Sequence, residues 1–331
     1  MLNKTVVFEK FETTRNRPLN FKEKDAYLFQ HEFTKNIPES YLLDLNRTLI
    51  INDSIFDIKN FSFHLKHTFY ESHTNKKIVK DTLRNILYSN KGIKNLDKGL
   101  WITNSKSRNF GHWIIDAMCR LMLLPDKYHD YPVLLPASFN ISWIIEILNY
   151  LDIKYILLEQ NQKYKVEELI LTSNAHPSGN FNPDIIKKLR NLFFEKLNDS
   201  DDEKVNRVWA YREHISRAVG NFEQIEKILN KYNFQLVKTE KLNLVEKINL
   251  FKNTSVLAGT HSSGLVNMIF MNKGSKLFEV RDYQDSHKNA LFSLASALGI
   301  DYFYTERSES LIEGDGNIDP VIFEESLIEC L

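Results

Sequence analysis

The chain has 331 residues, with 43 Lys plus Arg against 43 Asp plus Glu and only two cysteines. Its length points to two domains of roughly 150 residues, each large enough to bury its own core, and the balanced charge excludes the basic footprint of a dedicated nucleic-acid binder. Cys119 and Cys330 show no zinc-ligand spacing and imply a reducing compartment. The amino-terminal segment lacks a long apolar run with a small-residue cleavage site, and no stretch of roughly 18 residues is apolar throughout. A soluble, cytoplasmic protein is therefore expected.

The first hundred residues mix short strand-like runs (41–45, 48–52, 60–64) with polar segments. From Gly99 onward the pattern is cleaner. Strands are expected at 100–103, 132–135, 153–158 and 166–171, with helices at 110–124 and 141–151. Asn182-Pro183, a favoured cap followed by a residue suited to the first helical turn, opens a helix to about Leu197. The polar run 198–204 predicts a linker. Beyond it, strands at 208–211, 234–238, 256–258, 276–280 and 302–304 alternate with helices at 221–232, 243–251, 262–271 and 286–298, and a last helix covers 319–331. Alternation of this kind predicts an α/β protein with parallel sheets and helices on their faces. The expected division is an amino-terminal domain over 1–200 and a carboxyl-terminal domain over 201–331, with the last helix able to pack back on the first.

Chemistry concentrates in three places. His112, Asp116 and Arg120 recur every four residues on an otherwise apolar helix, so at about 100° per residue they fall within roughly 80° of one another. Such a stripe either lines a cavity or forms an internal ion network. Arg212 and Arg217 follow the 208–211 strand, where planar guanidinium forks suit phosphate oxygens. Third, an apolar strand runs into Gly259, His261, Ser262, Ser263 and Gly264, and a helix bearing Asn267 and Phe270 follows. Backbone N–H groups at such a helix start favour an anion. Glu279 is a carboxylate in an apolar strand, able to accept from ribose hydroxyls or to pair with Arg281. His64, His67 and His73 sit in a polar stretch and are expected at the surface, while His176 lies in a loop after a strand. There is no GxGxxG, P-loop, HExxH or GxSxG pattern. Asp199-Ser200-Asp201 falls in the polar linker, so no metal site is expected.

Taken together, Asn109-Phe-Gly-His112-Trp113-Ile-Ile-Asp116 with Arg120, then Arg212 and Arg217 before Asn221, then Gly259-Thr-His261 with Gly264, Asn267, Phe270, Gly274 and Glu279, resemble the ordered motifs of glycosyltransferase family 61. One departure is Ser262-Ser263 where that family commonly has Gly-Ala. The resemblance implies a GT-B-like fold, two Rossmann-like domains facing a central cleft, and metal-independent, inverting transfer without a cofactor. The donor would be a nucleotide-sugar and the acceptor a saccharide or lipid-linked saccharide, in surface or capsular polysaccharide biosynthesis. Inversion by direct displacement needs one general base on the acceptor hydroxyl, and Asp116 is the first choice, with His112 one helical turn away as partner or competitor. Donor binding falls to Arg212, Arg217, His261, Ser262, Ser263, Gly264, Asn267 and Glu279, and Asn109 and Arg120 are supporting residues, Arg120 paired with Asp116. Peripheral association with the inner membrane face would bring the enzyme to a lipid-linked acceptor. A non-catalytic nucleotide- or saccharide-binding protein and a pyruvyltransferase-like enzyme are the alternatives.

Overall fold

A computed structural model describes residues 3–69, 80, 83–84, 91–197, 206–211, 219–308 and 316–331. Arg212, Arg217, His73 and the expected linker at 198–204 lie outside these described residues. In chain order the strands are β1 (Asn3–Phe8), β2 (Phe11–Thr14), β3 (Thr34–Ile37), β4 (Ser40–Ile51), β5 (Ser54–Asp57), β6 (Ser62–Phe63), β7 (Ile93–Trp101), β8 (Val133–Pro136), β9 (Tyr155–Leu158), β10 (Lys163–Thr172), β11 (Asn206–Ala210), β12 (Phe234–Val237), β13 (Thr254–Thr260), β14 (Lys276–Arg281) and β15 (Asp301–Glu306). They build two compact units, one from residues 1–11 and 38–177, the other from 12–37 and 178–331.

The first unit holds an eight-stranded mixed sheet in the order β6-β5-β4-β10-β7-β8-β9. Its half from β10 to β9 is parallel, as the strand–helix alternation predicts. The other half is antiparallel: β4 pairs with β10 along one side, while β1 and β5 share its opposite side. The parallel pattern is expected from Gly99 onward, and the first sixty residues add antiparallel strands to that Rossmann-like half. The parallel strands need crossovers, and helix Ser142–Tyr150 supplies one by burying Ile144, Ile147 and Leu148.

The second unit is a five-stranded, all-parallel sheet in the order β12-β11-β13-β14-β15. Strand order reverses between β11 and β13, so this is a doubly wound sheet whose ligand crevice is expected beyond the carboxyl ends of those two strands. Alternate residues Trp209, Val256, Ala258, Phe278, Val280 and Phe303 make one buried face, covered by Ile225 and Leu229 of helix Phe222–Lys231 and by Phe323 and Leu327 of helix Pro320–Cys330. Burying side chains of that size stabilises by roughly 1.5–3 kcal/mol each. The last helix thus packs on its own unit's sheet.

The division also differs from one at residue 200. Helix Pro183–Phe194 is capped by Asn182 and buries Ile185, Ile186, Leu189 and Phe193, and Phe193 meets Phe270 edge to face at 5.2 Å. Residues 12–37 join the second unit because they cover the outer edge of β15. Leu19 N donates to Tyr302 O at 2.9 Å, the Asn20 amide bonds Tyr304 O at 2.7 Å, and Phe29 is buried against Phe292, Tyr302 and Tyr304. An uncovered edge strand is a template for unwanted pairing, and this segment removes it.

Candidate active site

Asn109 begins the first cluster by accepting from the backbone N–H groups of Gly111 (2.9 Å) and His112 (3.4 Å), which makes it the helix N-cap. The chain then runs through a short α-turn at Phe110–His112, a π-helical segment at Trp113–Met118 and a closing α-turn at Cys119–Leu121. π-turns loosen the backbone ladder and are frequent at functional sites. In this one, side chains serve the loosened carbonyls: Cys119 Sγ lies 3.8 Å from Ile114 O, and His176 Nε2 donates to Ile115 O at 2.7 Å. Trp113, Ile114, Ile115, Ala117 and Met118 are buried. The open side carries His112, whose Nδ1 meets Asp116 Oδ2 at 2.7 Å, with side-chain exposures of 30% and 11%.

Arg120 does not share that side. It is buried, with Nε donating to Thr172 Oγ1 (2.8 Å), Nη2 to Thr172 O (2.5 Å) and Nη1 to His67 O (3.0 Å) and Thr103 O (3.4 Å). It therefore ties together the chain just past β7, the end of β10 and the turn Leu65–Thr68, and the expected Asp116–Arg120 pair is corrected. Burial lowers the guanidinium to about 9, and the nearby charge of Asp116 acts in the opposite direction. His64 and His67, expected at the surface, are buried as well. His67, 3% exposed, bonds Tyr41 through Nε2 at 3.2 Å, and burial, reinforced by Arg120, drives its imidazole down to about 2.

The second cluster sits where β13 ends. His261 N extends the ladder by donating to Val280 O at 3.1 Å, and a 3₁₀-helix, Ser263–Phe270, follows where an α-helical pattern was expected. The turn packs closely on the carboxyl end of β11. A Cβ on Gly259 would lie 3.2 Å from Ala210 O, and one on Gly264 would lie 3.3 Å from Thr239 Oγ1 and 3.4 Å from Ala210 Cβ. Small residues are required for that approach, which brings the turn to the strand-order reversal. Asn267 donates to Gly264 O at 2.8 Å. Ser262 Oγ and Asn267 Oδ1 are buried and have no hydrogen-bond partner among the described residues, an arrangement that costs free energy unless a ligand or water supplies one. Arg212 and Arg217 follow β11 in the chain but lie outside the described residues.

Glu279 is 0% exposed, and the His261 side chain above it is 16% exposed. One Glu279 oxygen takes His261 Nδ1 and the other takes the Tyr302 hydroxyl at 2.5 Å, while Arg281 stands 3.8 Å away. Burial alone would raise this carboxyl, but His261, Arg281 and Tyr302 outweigh it and hold the group below its ordinary range. With both oxygens engaged and no surface, Glu279 does not face a ribose; it acts on His261. Arg281 is the partner that the sequence offers for Glu279, whereas Tyr302 is not anticipated, although its place on the strand paired with β14 is a usable signal. A cavity of about 350 Å³ lined by Lys273, Gly299, Asp301 and Tyr302 lies toward the amino ends of β14 and β15, the edge opposite to the expected crevice. Among the described residues, no three His, Cys, Asp or Glu side chains are grouped to hold a metal ion, and no helix is long and apolar enough to cross a membrane.

The family model described as Glycosyltransferase 61 matches residues 110–278. The chain belongs to the glycosyltransferase 61 family. The match begins in the turn that carries His112 and Asp116 and ends one residue before Glu279, so it spans both clusters. None of the curated proteins compared with the chain matches it. As a glycosyltransferase the protein is a transferase that uses a sugar donor and an acceptor.

Proposed function

We propose that this glycosyltransferase is an inverting, metal-independent enzyme that moves a sugar from a nucleotide-sugar to a saccharide or lipid-linked saccharide acceptor. The observation that carries the proposal is the His112–Asp116 pair, a hydrogen-bonded imidazole and carboxylate on the open side of an otherwise buried π-turn. Family membership supports the GT-B arrangement of facing domains and a place in surface or capsular polysaccharide assembly, with the enzyme in the cytoplasm at the inner membrane face. Both are parts of the proposal.

In a single displacement the acceptor oxygen bonds to the anomeric carbon as the bond from that carbon to the donor phosphate breaks. The acceptor hydroxyl proton passes to a base, and the leaving nucleotide carries away the electron pair. The exposures favour His112 over Asp116 as that base, since the imidazole is the more open of the two and the carboxylate is placed to orient it and balance its charge. Charge on the leaving phosphate is met by His261, Ser262 and the N–H groups at the start of the 3₁₀-helix, with Arg212 and Arg217. The unpartnered Ser262 Oγ and Asn267 Oδ1 fit a hydrogen-bonding donor ligand in the turn.

Donor binding and transfer separate the roles. A thermal-shift screen over nucleotides should raise the melting temperature with one of them, because a ligand that binds only the folded state stabilises it by mass action. His112→Ala and Asp116→Asn should keep that shift while transfer falls by about 10²–10⁴-fold, and Arg217→Ala should lose the shift. Full turnover in both first-cluster variants would remove the assignment, and binding without product in the unaltered protein would favour a non-catalytic binding protein.

A further inference from the structure

Donor and acceptor inventories fix the direction of the buried chain beneath His261. Arg281 can only donate, so its Nη1 donates to the Tyr302 hydroxyl at 3.1 Å. Tyr302 must then direct its own proton to Glu279, 2.5 Å away. Glu279, accepting on that oxygen as a carboxylate, also accepts on the other, so the His261 nitrogen facing it, Nδ1, bears a hydrogen. Arg281 is itself locked, with Nη2 donating to Asp285 O (2.7 Å) and Asn289 Oδ1 (3.0 Å) and its guanidinium 4.8 Å from the Phe29 ring centroid. Every group behind the imidazole is therefore buried and oriented.

We propose that Tyr302 is a positioning residue that tunes, through Glu279, how tightly the Nδ1–H of His261 is held and the imidazole oriented. A Tyr that served only to fill the core between Phe29 and Phe292 would do so without its hydroxyl, and its two hydrogen bonds both belong to the chain that ends at His261. Burial, with the charge of Glu279, pushes the Tyr302 phenol well above its ordinary range, so it remains a proton donor. By sharing the carboxylate's charge, that donor moderates how strongly Glu279 pulls on the Nδ1 proton. The consequence for transfer rests on His261 acting on the donor phosphate, as proposed above; the consequence for the imidazole does not.

Histidine-selective ¹⁵N labelling of the full chain, with His261→Gln to assign the signal, reads the Nδ1–H proton directly. The unaltered protein should show it downfield and protected from exchange. Tyr302→Phe should move it further downfield, since Glu279 with one fewer donor is a more basic acceptor, and should lower kcat about 10-fold while the donor KM stays within about 2-fold. A fluorotyrosine at position 302, a stronger hydrogen-bond donor, should move the resonance the other way and keeps the test available if Tyr302→Phe folds poorly. An unchanged resonance in both would overturn the proposal, as would an unchanged kcat with a normal resonance in Tyr302→Phe. If the resonance responds as expected but the unaltered protein transfers no sugar, the positioning role stands and the proposed function falls.

Discussion

Burial sets the proton affinity of three histidines in the first unit. His64, His67 and His176 are all lowered, with desolvation the largest cause in each. In the unfolded chain they take up protons near the ordinary value of about 6.5, whereas the folded protein keeps them neutral at lower pH. Their contribution to stability is thus complete above about pH 6.5 and is lost as pH falls toward the folded-state values. Melting temperature should decline between pH 7 and pH 5, and His67→Gln, which removes one of the three, should flatten that decline. Parallel curves for the two proteins would contradict this account. At this scale the sequence was legible where a residue's role is local. Asn109 and Asn182 cap helices because their side chains reach N–H groups two or three residues on. His64 and His67 were misjudged because polar neighbours in sequence do not report what a sheet and a buried arginine place around them.

At the scale of elements, the π-turn explains why one of three evenly spaced polar residues left its expected face. A π-turn places one extra residue in the helix and rotates everything after it by about 100° relative to a regular helix. His112 and Asp116 remain neighbours across the widened turn, while Arg120 is carried into the interior, where threonine and backbone oxygens satisfy it. No apolar periodicity announces such a turn, so the stripe was legible and its irregularity was not. His176 is the support that spacing could not reveal, since it comes from beyond β10 to the Ile115 carbonyl. His176→Ala should leave that carbonyl without this donor and destabilise the protein by about 1–3 kcal/mol, read by denaturant unfolding. A variant as stable as the parent would mean that the turn holds itself open. Strands from β8 onward were readable because parallel strands are continuous apolar runs, whereas β7 begins with mostly polar, exposed residues at 93–98 and only its end falls in the expected strand at 100–103. The hairpin-like pairing of β1, β4 and β5 was less so, as short polar-flanked strands carry little periodic signal.

The molecule as a whole is divided in space differently from its order along the chain. Residues 12–37 contribute to the second unit, and no pattern confined to that segment states where its partners lie, more than 250 residues onward at Tyr302 and Tyr304. Phe29→Ala should therefore cost about 3–5 kcal/mol in the unit that carries His261, measured by unfolding monitored within that unit; a loss confined to the first unit would contradict the division. The family motifs, by contrast, were legible as an ordered set because each is short and local, and the match over residues 110–278 agrees with them. The central claim is nucleotide-sugar-dependent transfer, and mass spectrometry of the protein incubated with a panel of nucleotide-sugars tests it most directly. Slow release of one nucleoside phosphate by the unaltered chain, absent in His112→Ala, is the predicted result. Release of none of them with acceptor present, or equal release by His112→Ala, would contradict it.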